Sequence, residues 1–164
     1  MNEEALFAQL RMSRRLTLAA LKATPEAIAD KQPGAFNNSL RWNFGHIYVS
    51  LNGLMYGFAG EEDPSPEGYK EWFDRGTSPE DWGDAEMPSL ARLQALLEAQ
   101  PELIEERFTG RLEERTERPF GLIKTGRPAI IGDLLNFGIY HEGLHLGWIH
   151  GLKRALGEKQ LYAE

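Results

Sequence analysis

The feature that most constrains the fold is the spacing of apolar residues, which recur every three to four positions in four long segments. The first segment runs from Asn2 to about Ala23, and the second runs from Asn38, a residue suited to an N-cap, to about Ala59. A period of about 3.6 residues belongs to an amphipathic helix, whereas a half-buried strand alternates with a period of two. Both segments are therefore predicted to be helices.

Two further helices are predicted in the second half of the chain. Ser89 is suited to cap the third helix, whose leucine-rich run contains Pro101, so a kink or a break is expected there. The last helix is expected to carry Pro128 in its first turn and to end at Gly157. Four long helices with few strand signals predict an all-α bundle, and 164 residues suit a single domain over residues 1–164.

The connections between these helices are polar and rich in glycine and proline. Residues 61–88 form a long acidic connection with a short helical candidate at residues 66–73. Such a connection is either a functional lid or a solvated crossover between helices. Residues 110–127 are charged and interrupted by glycine and proline, a pattern that is typical of a loose hairpin.

Charge and composition exclude several classes of partner. The formal net charge is -7 and the isoelectric point is about 5.2, whereas a nucleic-acid interface needs a basic face that neutralises phosphates. The same charge argues against binding to an anionic membrane surface. The N-terminus lacks the apolar core of a signal peptide, and no apolar run approaches the roughly 18 residues of a membrane span. A cytoplasmic protein is therefore expected.

Histidine placement predicts a metal site. The chain has four histidines and no cysteine, so any metal must be held by nitrogen or oxygen. His141 and His145 are four residues apart on the last predicted helix, which stacks them on one face, whereas His150 lies on roughly the opposite side. His46, on the second helix, is the remaining candidate for a third ligand. The alternative is that these are half-buried histidines that form ordinary hydrogen bonds.

A short motif around these histidines resembles that of a zinc protease. Residues 141–145 match H-E-x-x-H, in which Glu142 would be the general base. The metzincin extension requires glycine and histidine where this chain has Trp148 and Gly151. No strands are predicted upstream to bind a peptide, so a protease is disfavoured.

Small residues on two helices leave alternatives open. Near His46, the small residues Ser50, Gly53 and Gly57 either leave a ligand-sized hollow or allow close helix packing. Gly143, Gly147 and Gly151 form a stripe on the last helix that lets another helix approach closely. That helix belongs either to the same chain or to a second subunit of a homodimer.

Three stretches of the chain resemble the DinB family. The first is Leu-Arg-Trp-Asn-Phe-Gly-His, which ends at His46; the second covers residues 66–73 with the Gly-Thr-Ser-Pro that follows; the third covers residues 140–157. The resemblance implies an up-down-down-up four-helix bundle. It also implies a divalent metal held by His46, His141 and His145, with zinc or nickel favoured and iron or manganese as alternatives.

The resemblance also implies a class of reaction. Characterised relatives are metal-dependent transferases and isomerases that use small thiols such as bacillithiol, mycothiol or glutathione. The absence of cysteine fits a mechanism in which a small-molecule thiol arrives as cosubstrate and attacks an electrophile. The alternatives are a metal-dependent hydrolase and a non-catalytic metal-binding bundle. The family name refers to induction by DNA damage, which suggests a stress response and does not imply DNA binding.

Further residues are candidates for roles around the metal. Glu142 is the catalytic candidate, either as a general base or as a side chain that orients a ligand histidine; the alternative is an exposed charge. Five side chains are candidates for lining a substrate pocket, with plain core packing as the alternative for the aromatic ones: Trp42, Asn43, Tyr56, Trp72 and Trp148.

Overall fold

The structure, a computed structural model, describes residues 2–34, 36–121 and 128–163, and it is all-helical over those residues. Two short 3₁₀ turns, Glu26–Ile28 and Pro79–Trp82, lie in the connections. None of the helices in these ranges has an apolar stretch long enough to cross a membrane. The helices are α1 (Glu3–Lys22), α2 (Leu40–Phe58), the short α3 (Tyr69–Phe73), α4 (Leu90–Phe108) and α5 (Ile131–Ala155).

Contacts of α1 set the directions of its two neighbours. Arg14 meets Glu142 of α5, and Lys153, two residues before the end of the same helix, donates to the carbonyls of Ala20 and Ala23 at the end of α1. The two helices therefore run parallel. Lys22, at the end of α1, pairs with Glu98 of α4, and Arg11, earlier in α1, pairs with Glu105, later in α4, so α1 and α4 run antiparallel.

Contacts of α2 complete the topology. Asn43, near the beginning of α2, bonds His145 of α5, and Leu51 and Leu54, further along α2, pack against Gly138, which comes earlier in α5, so these helices are antiparallel. Arg41 bonds the Pro88 carbonyl just before α4, and Gln100 bonds the Tyr48 carbonyl further along, so α2 and α4 are parallel. The long helices thus form an up-down-down-up bundle, which is the topology that the family resemblance implied.

Side-chain caps explain where the helices begin. Asn2 and Ser89 accept hydrogen bonds from the backbone three residues on, at the beginnings of α1 and α4. For α2 the prediction of Asn38 was wrong by one residue, because the hydroxyl of Ser39 accepts the bond from the Trp42 N–H. Gly157 follows α5 with φ +86°, a left-handed conformation that glycine adopts without strain, so its predicted role as helix stop is confirmed.

The α5 helix begins at Ile131, three residues later than Pro128 suggested. Residues 129–132 pair with residues 112–116 in an antiparallel manner, through hydrogen bonds that include Thr116 N to Ala129 O. One arm of this pairing lies within residues 110–127, where a loose hairpin was expected, and the other lies just after that range. Residues 122–127 of the expected hairpin lie outside the described residues. The predicted short helix at residues 66–73 is present as α3, which begins at Tyr69.

Pro101 does not break α4, which continues on both sides of it, so the expected break was wrong. Proline has no N–H, and the carbonyl of Leu97, four residues earlier, consequently has no intrahelical donor. Arg14 of α1 supplies one: its Nη1 donates to Leu97 O at 2.8 Å. The loss of one helical hydrogen bond is therefore compensated by a neighbouring helix.

Arg14 also forms the central ion pair of the bundle. Its Nε and Nη2 donate to the two carboxylate oxygens of Glu142 at 2.9 and 3.1 Å, and both side chains are 2 % exposed. Thr17 adds a bond to the same carboxylate at 2.7 Å, and Gln100 accepts one from Arg14. A buried charge with several partners is tolerated, whereas the same charge without them is costly.

We predict that Arg14→Met lowers the free energy of unfolding by about 3–5 kcal/mol, because it leaves the Glu142 carboxylate buried without its cation. Arg11→Met is the matched control on the same helix, since Arg11 pairs with Glu105 at the exposed surface and should cost less than about 1 kcal/mol. Urea denaturation followed by circular dichroism measures both. Equal losses in the two variants would contradict the importance of the buried pair.

Candidate metal centre

The bundle brings His46, His141 and His145 together. Each offers a ring nitrogen, and these three atoms all lie within 4.8 Å of one another. The ring centroid of His46 is 5.1 Å from that of His141 and 4.6 Å from that of His145, and the two α5 rings are 4.5 Å apart. The i, i+4 spacing on α5 and the antiparallel approach of α2 therefore produce the predicted trio.

The crossover between α2 and α4 orients His46. The Nδ1 of His46 lies 2.6 Å from the carbonyl oxygen of Phe73, and since a carbonyl only accepts, Nδ1 carries the proton. The Nε2 lone pair then faces the trio, where it accepts from the Ser50 hydroxyl at 3.1 Å, a bond that a metal ligand atom would give up. The indole of Trp42 stacks on the imidazole with centroids 4.4 Å apart. Gly45 makes the approach of the crossover possible, because an added Cβ would lie 2.4 Å from the Phe73 ring.

Asn43 orients His145. Its Oδ1 accepts from the Nδ1 of His145 at 2.8 Å, which again leaves Nε2 free for a metal. The direction of the amide is fixed because its Nδ2 donates to the carbonyl of Ser39 at 2.8 Å. Asn43, expected to bind substrate, therefore holds a histidine in place.

The His141 ring lies at the open side of the trio. The ring of Phe137, one turn earlier on α5, lies nearly parallel to it, with centroids 6.0 Å apart. Among the described residues its nitrogens have no hydrogen-bond partner, so apolar contact and the two other histidines fix the ring.

Burial keeps the imidazoles neutral at physiological pH. It lowers the pKa of His141 to about 4 and that of His145 to about 3, and the charge of the neighbouring histidines adds to the effect. Burial also lowers the pKa of His46, although the hydrogen bond to Phe73 opposes it. Neutral imidazoles with a free lone pair are what a divalent metal binds, so this donor set fits zinc or a similar ion.

A cavity of about 640 Å³ opens beside His46 and His141. Ser50, Gly53 and Gly57 of α2 line it, and an added Cβ at Gly53 would meet nothing within 4 Å. These small residues therefore leave a hollow, which was one of the two interpretations of the sequence. The cavity has a volume typical of small-molecule sites. Its other lining residues are Val49, Leu54, Phe58, Lys70, Asp74, Arg75, Arg118, Phe120 and Phe137.

A smaller cavity of about 230 Å³ lies on the other side of the trio, against His145. Trp42, Asn43 and Trp148, three of the predicted pocket residues, line it. The other two predicted residues line neither cavity: Tyr56 packs edge-on against Phe108, and Trp72 packs against the aromatic rings of α3.

Glu142 faces α1 and the core instead of either cavity. Its oxygens accept hydrogen bonds from Arg14 and Thr17 in the core, and it lines neither cavity. The structure therefore provides no contact through which Glu142 would activate a metal-bound water or orient a ligand histidine. The Glu142 carboxylate is therefore neither exposed, which was one interpretation of the sequence, nor in contact with the metal site.

The remaining histidine and the glycine stripe lie outside the trio. His150 packs edge-on against Tyr162, with ring centroids 4.8 Å apart, so its exclusion from the site agrees with the geometry. Cβ atoms added to Gly143 and Gly147 would meet nothing within 4 Å, and one at Gly151 would meet the Phe36 ring. Among the described residues no second helix packs on this stripe.

Sequence reasoning missed contributors to the site that come from the crossover. The Phe73 carbonyl is a main-chain atom, so no residue type signals its role. Arg75 and Arg118 line the larger cavity but are ordinary charged residues in polar connections. Asn43 was predicted to line a substrate pocket, but its role in orienting His145 depends on a helix that follows about 100 residues later.

The chain matches a known protein family. A family model described as DinB superfamily matches residues 9–149, more than four-fifths of the chain. The matched range contains all three clustered histidines. No curated protein matches the chain significantly.

We predict about one divalent metal per chain, measured by elemental mass spectrometry after incubation with zinc or nickel. His141→Ala should lose the metal and keep its helical circular dichroism, because the helices that carry the ligands are held together by the apolar clusters and the Arg14–Glu142 pair. Asn43→Ala should weaken the affinity about 10- to 100-fold, since it removes the partner that orients His145. His150→Ala is the control and should bind like the wild type. Equal metal content in all variants would contradict the site.

We also predict that the metal-free protein loses stability as the pH falls from about 6.5 to about 4. The unfolded chain takes up protons on histidines of ordinary pKa near 6.5, whereas folded His141 and His145 stay neutral down to about 4 and 3. Urea midpoints across this range measure the effect. A triple variant with glutamine in place of His46, His141 and His145 should lose less stability; an identical loss would contradict the neutral histidines.

Proposed function

The chain belongs to the DinB superfamily, and on that premise we propose that it is a metal-dependent thiol transferase acting on small electrophiles. The observation that carries the proposal is the trio of neutral, oriented imidazoles at the wall of a cavity large enough for a small molecule. Zinc or nickel is the proposed metal, because both bind well to imidazole nitrogen.

The donor set suits activation of a thiol. A divalent ion held by three neutral imidazoles keeps its full charge and lowers the pKa of a thiol that coordinates to it. His46 and His145 contribute by holding their Nε2 atoms toward one point, through bonds to Phe73 and Asn43. The chain has no cysteine, so the sulfur must come from a cosubstrate.

The proposed reaction is a substitution or an addition at carbon. In the substitution, the thiol sulfur forms a bond to a carbon of the electrophile, the leaving group departs with its electron pair, and the thiol proton is released. The cavity wall of Phe58, Phe120 and Phe137 would hold an apolar electrophile and exclude water from the reacting atoms.

The position of Glu142 favours thiol transfer over hydrolysis. A hydrolase of the H-E-x-x-H type uses that carboxylate as the base for water. Here both of its oxygens bond Arg14 and Thr17 in the core. Thiol transfer does not need this base, because a thiol is far more acidic than water.

A cytoplasmic location and a role in stress response belong to the same proposal. Low-molecular-weight thiols are kept reduced in the cytosol, where a thiol-dependent transferase would find its cosubstrate. Conjugation of a thiol to a reactive electrophile is chemistry that protects a cell from the electrophile.

We predict that the metal-loaded protein accelerates the consumption of monochlorobimane by a small thiol, with glutathione, bacillithiol, mycothiol and cysteine tested in turn. The fluorescence of the conjugate measures the rate. His46→Ala should reduce the rate to that of the uncatalysed reaction, because it removes a ligand, and His150→Ala should react like the wild type.

The same protein preparation separates the alternatives. Turnover of an ester such as p-nitrophenyl acetate without thiol, lost in His46→Ala, would indicate a hydrolase instead. Full metal occupancy with no acceleration of either reaction would replace the proposal with a non-catalytic metal-binding bundle.

A further inference from the structure

The larger cavity has a charge opposite to that of the whole molecule. The net charge of the chain is -7, yet the cavity is lined by the cations Lys70, Arg75 and Arg118 and by one acid, Asp74. Lys70 is neutralised by Asp63, at 2.9 Å. Two guanidinium groups therefore remain at a cavity in an acidic protein.

Neither guanidinium has a carboxylate partner among the residues that the structure describes. Within the ranges that the structure describes, no acidic oxygen lies within 4 Å of the cationic nitrogens of Arg75 or Arg118. The Asp74 carboxylate accepts a hydrogen bond from the backbone N–H of Arg75, at 2.7 Å. A guanidinium presents several donors in a plane, and that geometry matches an incoming carboxylate.

Arg118 is held at the cavity by packing. Its guanidinium carbon lies 4.3 Å from the centroid of the Phe58 ring, in a cation–π arrangement. A Cβ added to Gly57 would lie 3.4 Å from the Nη2 of Arg118, so the glycine gives the guanidinium access to the helix surface. The position of the guanidinium is thus set by an aromatic ring and a glycine, neither of which neutralises its charge.

An aromatic wall leads from this cation to the histidines. The Phe58 ring contacts that of Phe120 at 5.2 Å between centroids, and Phe120 contacts Phe137 at 5.1 Å. Phe137 in turn lies against His141. The wall is therefore apolar along its length, with a cation at one end and a metal-binding imidazole at the other.

The spacing along α2 indicates an elongated ligand. Gly57 lies eleven residues after His46 on the same helix, which corresponds to about 16 Å along the axis at 1.5 Å per residue. Both residues line the cavity. A molecule that contacts the histidines and Arg118 together must extend along this helix.

We propose that the cavity binds an elongated small molecule that has an apolar body and a terminal carboxylate, with the carboxylate on Arg118 and the opposite end at the histidines. The proposal deepens the proposed function and rests on it for the thiol at the histidine end. Arg118 is then a specificity-determining residue: it selects anionic ligands over neutral ones of the same shape.

Binding to zinc-loaded protein tests the proposal with a matched pair of probes, 8-mercaptooctanoate and 8-mercaptooctanol, by isothermal titration calorimetry. The acid should bind at least about fivefold more tightly than the alcohol, since a charge-assisted bond to a guanidinium is stronger than a neutral one. Arg118→Gln should remove most of this preference. Arg115→Gln, which replaces an exposed cation that does not line the cavity, should keep it.

A second variant tests whether the probes bind in the larger cavity. Gly53→Leu fills the floor of the cavity at a helical position where a Cβ meets nothing, so the fold should tolerate it and both probes should bind more weakly. Equal affinities of acid and alcohol for the wild type, a preference that survives in Arg118→Gln, or unchanged binding in Gly53→Leu would each overturn the proposal.

Thiol-free octanoate and octanol separate this inference from the proposed function. A preference for octanoate that depends on Arg118, in a protein that does not conjugate monochlorobimane, would support the anionic site and reject thiol transfer. Thiol transfer by a protein that binds octanoate and octanol equally would support the proposed function and reject the anionic site.

Discussion

The buried ion pair between Arg14 and Glu142 is the interaction on which the arrangement of the long helices depends. It joins α1 to α5, and the bonds of Arg14 to Leu97 O and Gln100 add α4. Gln100 continues to the Tyr48 carbonyl of α2. Apolar clusters lie on both sides of this polar layer. Apolar contacts are not directional, so the layer of hydrogen bonds selects one register among many that would bury similar area.

The same layer determines where the histidines lie. Glu142 is one residue from His141, and one residue corresponds to about 100° around a helix axis. When the carboxylate is fixed in the core by Arg14 and Thr17, the imidazoles of His141 and His145 must face α2 and the cavity. One turn of α5 therefore carries both the carboxylate of the buried ion pair, Glu142, and the two histidines of the metal site, His141 and His145.

Local patterns explain what could be predicted. The helices follow from apolar periodicity, and the pair on α5 follows from i, i+4 spacing, both of which depend on neighbouring residues alone. The contact of Arg14 with Glu142 joins residues 128 positions apart, and the orientation of His145 by Asn43 joins residues 102 apart. Such partners are selected by the way helices pack, so sequence identified Asn43 and Glu142 as notable without giving their roles.

The hydrogen bond from His46 to the Phe73 carbonyl couples two events that are otherwise separate. The carbonyl belongs to the crossover, which α3 and the Phe73 ring anchor against Gly45. If docking of the crossover improves the affinity of the histidines for a metal by some factor, thermodynamic reciprocity requires the metal to strengthen docking of the crossover by the same factor. Metal binding by the three histidines and docking of residues 69–73 would then be linked, so a measurement of either one would also report on the other.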